Sequence, residues 1–302
     1  MNNKRRLFST LLCVAALTAG LFVSGCGSDK AGGIGSVVSS VVDGGSDEKA
    51  AAKLNTLIDA TNRFNGDNAT WGQNYADSLA KLKGGFQEGA IGRQPHYDTL
   101  KEALEQSKKE GSTFKEVDTE RDNVLNGLNE LVPTFKDLKA YDDSKAYMND
   151  GGAKGKELAA KYVAQVEKFD AAYAKFNDAL NKANTEQTKK QIEKLKKDGK
   201  KGYAAAMEST LRLTTLVENV EKAPKNADKQ AVEKELNEIQ TLLKSINNDR
   251  GEVLVNSYNS VVGSVRQVLN DANENNLNDM IENFNNYIES YNNTTPDQFD
   301  SK

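Results

Sequence analysis

Proline, histidine and tryptophan are scarce in this chain: 4, 1 and 1 among 302 residues. Cysteine is scarce as well, with 2 residues, Cys13 inside an apolar N-terminal run and Cys26 just after it. Nothing beyond Cys26 is a cysteine, so that part of the chain holds no disulfide framework and no His/Cys zinc site. Few prolines, set against abundant Lys, Glu, Ala, Leu, Asn and Asp, argue against a strand-and-turn fold and for helices. After residue 23 no apolar run is long enough to cross a bilayer. A basic excess is missing too: the formal charge is −4. Nucleic acid binding needs a basic face, which speaks against that partner class.

What is present begins at the N-terminus. Lys4, Arg5 and Arg6 form a positive start without an acid, Leu7–Val23 is largely apolar, and the stretch closes on Val23-Ser24-Gly25-Cys26. A positive end, an apolar middle and a small-residue exit mark an export signal. An aliphatic residue, two small residues and then Cys is the lipobox pattern. The small residues let the backbone lie in a peptidase cleft, and the Cys26 thiol takes the lipid. The reading is therefore a signal peptide over residues 1–25, cut before Cys26, with Val23, Ser24 and Gly25 as the cleavage motif. An uncleaved anchor with an incidental Cys is the competing reading of the same run.

One acyl chain binds a bilayer only marginally, whereas two give stable anchoring. The bacterial lipoprotein pathway supplies at least a diacylglyceryl group, so the expected partner at this end is a membrane. Gly27 and Ser28, rather than Asp, follow the cysteine. In a Gram-negative cell that sorts the protein to the outer membrane, facing the periplasm. Removal of Lys4, Arg5 and Arg6 takes the formal charge from −4 to −7, a mildly acidic exported chain.

Residues 26–47 read as the lipidated cysteine and a flexible Gly/Ser tether, with short Val pairs at Val37-Val38 and Val41-Val42. Such a coil has an end-to-end distance of roughly 25 Å. Residues 48–295 read as an all-α domain, an antiparallel multi-helix bundle with long helices, and 296–302 as a tail. The apolar stripes carry that reading. Leu54, Leu57, Ile58, Thr61, Phe64, Trp71, Tyr75, Leu79 and Leu82 predict a helix that Gly84-Gly85 ends. A shorter helix is expected over Tyr97–Lys109. Another, from Phe114 to Leu138, meets Pro133, which predicts a kink or break. Asp150-Gly151-Gly152 is a turn before a long helix from Leu158 through Leu180 toward Leu195. Met207 to Val220, Val232 to Ile246, Leu254 to Leu269 and Leu277 to Tyr291 predict four more. Gly251 is expected to end the second of these, and Val253–Val255 is a candidate short strand.

Chemistry-bearing motifs fare poorly. No Asp-x-Asp-x-Asp-Gly spacing offers a calcium loop. His96 is the only imidazole available as a base, and beside Pro95 it reads as a solvated or capping side chain. Gly151-Gly152-Ala153-Lys154-Gly155-Lys156 resembles a phosphate-cradling loop. That motif, however, needs Gly five residues before the Gly-Lys pair, where Asp150 stands, and Ser or Thr after it, where Glu157 stands. The lysines from Lys189 to Lys201, interleaved with Glu193 and Asp198, read as a solvated face, with anionic head groups or cell-wall polymer as the rival reading. Ten asparagines between Asn270 and Asn293 read as the solvated side of the last stripe. No catalytic, metal or cofactor residues are assigned.

Three stretches carry a family resemblance. They are Leu131-Val132-Pro133-Thr134-Phe135 through Tyr141 to Ala153-Lys154-Gly155-Lys156-Glu157-Leu158, then Gln191 through Gly199 into Tyr203–Leu216, then Asn286-Tyr287-Ile288-Glu289-Ser290-Tyr291-Asn292. With the lipobox and the low-complexity tether, the chain resembles the YiiG-like bacterial lipoproteins, whose domain has no known function. The resemblance covers most of residues 50–295. The chain departs from it in lacking the cysteines and the Pro/Ala-rich tether associated with the best-known member of that family. It implies a lipoprotein with a helical domain and brings no active-site residue with it. The functional expectation is a non-enzymatic, membrane-tethered interaction or envelope domain, its partner an envelope protein or cell-wall component. A helical small-ligand binder with a pocket near Trp71, Tyr75, Phe169 or Tyr173 is the alternative, and an enzyme using carboxylates alone is a third.

Overall fold

The computed structural model describes residues 46–92, 95–111 and 114–300, leaving aside the side chains of 46–49 and 66–74. Ten helices follow one another in this part: α1 Ser46–Lys83, α2 Tyr97–Lys109, α3 Lys115–Asp143, α4 Tyr147–Asp150, α5 Ala153–Lys197, α6 Lys201–Lys222, α7 Lys229–Lys244, α8 Asp249–Asn270, α9 Glu274–Asn292 and α10 Pro296–Phe299. No strand occurs among the described residues. The fold is all-α, as the three- and four-residue spacing of apolar side chains requires. The contacts divide the described chain into two compact units, one up to Ala183 and one from Asn184 onward, with α5 contributing to each.

In unit 1, α2 packs on both α1 and α3. The stripes point inward as their spacing predicts: Leu54, Ile58 and Phe64 from α1, Leu100 and Leu104 from α2, Val124, Leu128, Leu131 and Leu138 from α3, and Tyr162, Val166, Phe169 and Phe176 from α5 are all buried. Each such side chain contributes about 1.5–3 kcal/mol on burial. α3 approaches α5 where Gly127 has no side chain, its Cβ position 3.7 Å from the Phe169 backbone. Gly84 and Gly85 stop α1, Gly85 at φ 105°.

One expectation needs correction here. α3 does not break at Pro133; it runs through to Asp143. The missing Pro N–H orphans the carbonyl of Asn129, an exposed residue, so water can satisfy it. The next hydroxyl, of Thr134, donates to the Glu130 carbonyl at 3.1 Å. Buried apolar contacts on the opposite face hold the helix on either side.

Unit 2 is arranged around α6, which touches α7, α8, α9 and α10. Its buried positions wrap most of its circumference and include Ala204, Ala205, Ala206, Met207, Leu213 and Val217. Two buried hydroxyls on it are satisfied within the helix: Thr210 donates to Ala206 O and Thr214 to Thr210 O, each at 2.8 Å. α8 and α9 pack along each other across the link Asp271–Asn273. Side-chain caps start three helices: Asp228 on α7, Asn248 on α8 and Asn273 on α9.

The remaining corrections fall in this unit. Gly251 does not end a helix but lies in the first turn of α8, buried. Ile246 crosses it so closely that a Cβ there would stand 2.1 Å from the Ile246 carbonyl oxygen. The glycine is there for that close approach, not for a terminus. Val253–Val255 is no strand: it is helical, within the same α8.

Candidate functional site

The strongest functional signal in the sequence, Val23, Ser24, Gly25 and Cys26, lies outside the described residues, as do the Val pairs of the tether and the side chain of Trp71. The structure does place the other candidates.

The Gly-rich turn before α5 is closed by its own aspartate. Gly151 and Gly152 adopt φ 64° and 84°, which turns the chain so that Asp150 faces the start of the helix. Its Oδ1 accepts the N–H of Gly152 at 2.9 Å and its Oδ2 that of Lys154 at 3.1 Å. The Tyr141 hydroxyl donates to the same Oδ1 at 2.6 Å. Tyr141's hydrogen bond first, then the two amides, hold the Asp150 carboxylate below its usual range. A phosphate loop leaves these amides for the ligand. Here a covalently attached anion already occupies them. Phe86 packs across the turn, edge-on to Tyr141 at a centroid distance of 5.2 Å. Gly155 lets it in: a Cβ there would stand 2.6 Å from both rings. Gly155 is thus a packing residue rather than part of a phosphate cradle.

Phe169 and Tyr173, two of the residues near which a ligand pocket is expected, pack into a cluster of rings. Phe64, Tyr97, Phe169 and Tyr173 have centroid distances from 5.2 to 6.0 Å, the spacing of packed aromatic cores. Polar atoms enter this interior from several helices. The Tyr75 and Tyr97 hydroxyls share a hydrogen bond at 2.8 Å, and Tyr173 donates to Asn65 Oδ1 at 2.9 Å. Asp170, partly buried on α5, has its carboxyl pushed up to about 6. Burial is the chief cause, Lys83 opposes it and Glu167 adds to it. Lys83 is itself bonded to Glu167 at 2.8 Å. The weakened acidity of Asp170 was not foreseeable, because its cause is the packing of α1 and α2 around one position of α5.

His96 is exposed at the N-terminal boundary of α2, without a side-chain cap on that helix. The lysines from Lys189 to Lys201 are all exposed. Lys196 pairs with Glu193 and Glu208, and Lys200 reaches Asp297 at 3.6 Å. Eight of the ten C-terminal asparagines are exposed, opposite the buried Met280, Phe284, Tyr287 and Tyr291. Both runs therefore lie on solvated faces. Among the described residues, no group of three or more His, Cys, Asp or Glu side chains is placed to hold a metal ion. None of the described helices is long and apolar enough to cross a membrane.

Residues 48–278 match a family model described as a protein of unknown function, DUF3829. No curated protein and no solved structure matches the chain.

Proposed function

The chain belongs to the DUF3829 family, and on that premise we propose that it is an exported bacterial lipoprotein, anchored by lipid at Cys26, with its helical part acting as a non-enzymatic interaction or envelope domain. The observation that carries the reading is Val23-Ser24-Gly25-Cys26 at the end of a basic-then-apolar leader. The Gly/Ser-rich segment before α1 gives the helical part room to stand off a membrane surface. Gly27-Ser28 after the cysteine favours the outer membrane where the host has one. The kinship with YiiG-like lipoproteins is part of the same reading.

The interaction role rather than catalysis draws on how the polar side chains are engaged. Asp150 caps a helix, Arg121 is held by Asp118 and Asp122, and Arg212 by Glu235 and Glu238. Groups tied up in this way serve the helices: Arg121 is held within α3, and Arg212 ties α6 to α7.

The test compares the wild type with Cys26→Ala in cells given a labelled fatty acid. The wild type is expected to take up label and sediment with membranes, followed by capture of a neighbouring protein on crosslinking. Unchanged labelling or unchanged fractionation of Cys26→Ala would sink the lipoprotein reading. A second reading, a small-ligand binder in unit 1, is favoured by the Tyr75–Tyr97 hydroxyl pair among aromatic rings. A thermal-shift screen of envelope metabolites tests it, and a flat result across the screen counts against it.

A further inference from the structure

The last described residues close unit 2 in a way that neither the lipobox reading nor the helix stripes account for. They lie beyond the family match, which ends at residue 278. After α9 the chain turns at Asn293, and Thr295 and Gln298 form a capping box on the single turn of α10. Phe299 is buried, its ring stacked between Tyr203 at 5.9 Å and Tyr291 at 6.0 Å. Asp300 then reaches the start of α6: Oδ1 accepts the Gly202 N–H at 2.6 Å and Oδ2 the Tyr203 N–H at 3.4 Å. α6 has no side-chain cap from its own N-cap residue, Lys200. Asn248 Nδ2 donates to the backbone carbonyls of Gln298 and Phe299, each at 3.1 Å. Gly202 makes room for the segment, since a Cβ there would stand 2.0 Å from the Phe299 carbonyl oxygen.

We propose that Thr294–Asp300 is a detachable strap, and that the groove beneath it is a recognition site for a polypeptide segment carrying an aromatic residue followed directly by an acidic one. Each part of the groove answers one part of such a segment. Tyr203 and Tyr291 hold the ring, the α6 amides take the carboxylate, Asn248 reads two main-chain carbonyls, and the bare Cα of Gly202 admits the backbone. Main-chain recognition combined with a side-chain slot is how proteins bind peptide segments in general. The strap can leave without breaking helix packing elsewhere. It contacts α6, α8 and, through Phe299 on Tyr291, α9; one buried ring, the Thr294 side chain and a few hydrogen bonds hold it, while α6, α8 and α9 pack on one another through contacts of their own. Its residence in the groove makes it an intramolecular competitor for a partner of like chemistry.

Hydrogen exchange on the full wild-type chain is the first arm. The amides of Gly202 and Tyr203 are expected to exchange together with those of residues 297–300, at least tenfold faster than Leu213 and Val217 in the middle of α6. Exchange of all of them at one common rate would mean that the strap opens only on global unfolding, and would overturn the proposal. The second arm uses a labelled peptide of residues 294–302. The full chain carrying Phe299→Ala and Asp300→Ala is expected to bind it at least tenfold more tightly than the wild type does. A peptide carrying the same two substitutions should not bind. A variant that keeps its helical spectrum and binds neither peptide would overturn the groove. If the variant does not fold, the wild-type exchange pattern decides.

Discussion

The N–H of Gly202 donates to Oδ1 of Asp300 at 2.6 Å, across 98 residues of sequence, and the strap that carries Asp300 leaves no room at residue 202 for a side chain. Gly202→Ala places a methyl group where the Phe299 carbonyl oxygen stands. It is expected to expel the strap and destabilise unit 2 by about 2 kcal/mol, as overpacking typically does. Gly263, also helical, is the matched control, because an added Cβ meets nothing within 4 Å. Gly263→Ala should stabilise by up to about 1 kcal/mol through helix propensity alone. Urea unfolding of the two variants decides: a similar effect of the same sign at both sites would refute the role given to Gly202.

Asp170 makes the stability of unit 1 fall as pH rises from mildly acidic to neutral. Its folded carboxyl is raised to about 6 from an ordinary value of 3.8, with burial the largest cause. A raised carboxyl favours the folded state when protonated. That stabilisation is complete below about pH 4 and is lost as pH rises through about 6. The groups facing it are Lys83 and Tyr75 from α1, Tyr97 from α2 and Glu167 from α5. The loss across this window is on the order of 2–3 kcal/mol, from a shift of about two pH units. Asp170→Asn should be more stable than the wild type at pH 7.5 and should flatten the slope between pH 5 and 7. Parallel slopes for the two proteins in denaturant titrations would exclude Asp170 as the source.

The helices were legible because apolar side chains at three- and four-residue spacing must share a face. The start of α2 at Tyr97 and its end at Lys109 agree with the structure, since Pro95 and Gly111 punctuate them locally. The failures turn on packing and exposure, which spacing along the sequence does not show. Pro133 reads as a break, but the carbonyl it orphans is on an exposed residue and the buried side keeps α3 continuous. Gly251 reads as a terminator, but it is inside α8 because Ile246 crosses it. The Asp300 cap of α6 has no sequence signal other than a helix start without Ser, Thr, Asp or Asn at Lys200. Asp150 had a readable one, an Asp ahead of two glycines and a helix. Recognising that it fills the anion position needed the geometry of Gly151 and Gly152.

Arg121 offers a test of how a buried cation is held. Its side chain is only 6% exposed, with Nη1 2.7 Å from Asp118 and Nη2 3.2 Å from Asp122. Removing one partner leaves a buried charge short of compensation, whereas replacing the cation with an apolar chain of similar length removes the desolvation burden as well. Asp118→Ala should therefore destabilise unit 1 by about 3 kcal/mol. Arg121→Met should change stability by roughly 1 kcal/mol or less. Chemical denaturation that ranks the two in the opposite order would show that the arginine itself, and not its pairing, holds α3 in place.

The turn before α5 yields the last expectation, and its direction separates two views of the Gly151–Lys156 run. If that run were a phosphate cradle, Asp150 would hinder it, and Asp150→Ala would gain affinity for phosphate without losing stability. The geometry argues otherwise. The carboxylate satisfies two amides that the helix start leaves without partners, and it anchors the Tyr141 hydroxyl beneath Phe86. Asp150→Ala should lower the melting temperature and loosen Phe86, Tyr141 and Tyr147 together, seen as a change in near-ultraviolet circular dichroism. Asp150→Asn keeps an acceptor oxygen for one amide and should fall between the two. Phosphate added to the alanine variant should not restore the wild-type melting temperature, because Phe86 covers Gly155 where a phosphate loop would hold its ligand. Restoration by phosphate would show that the amides alone make a working anion site and that the aspartate only fills it.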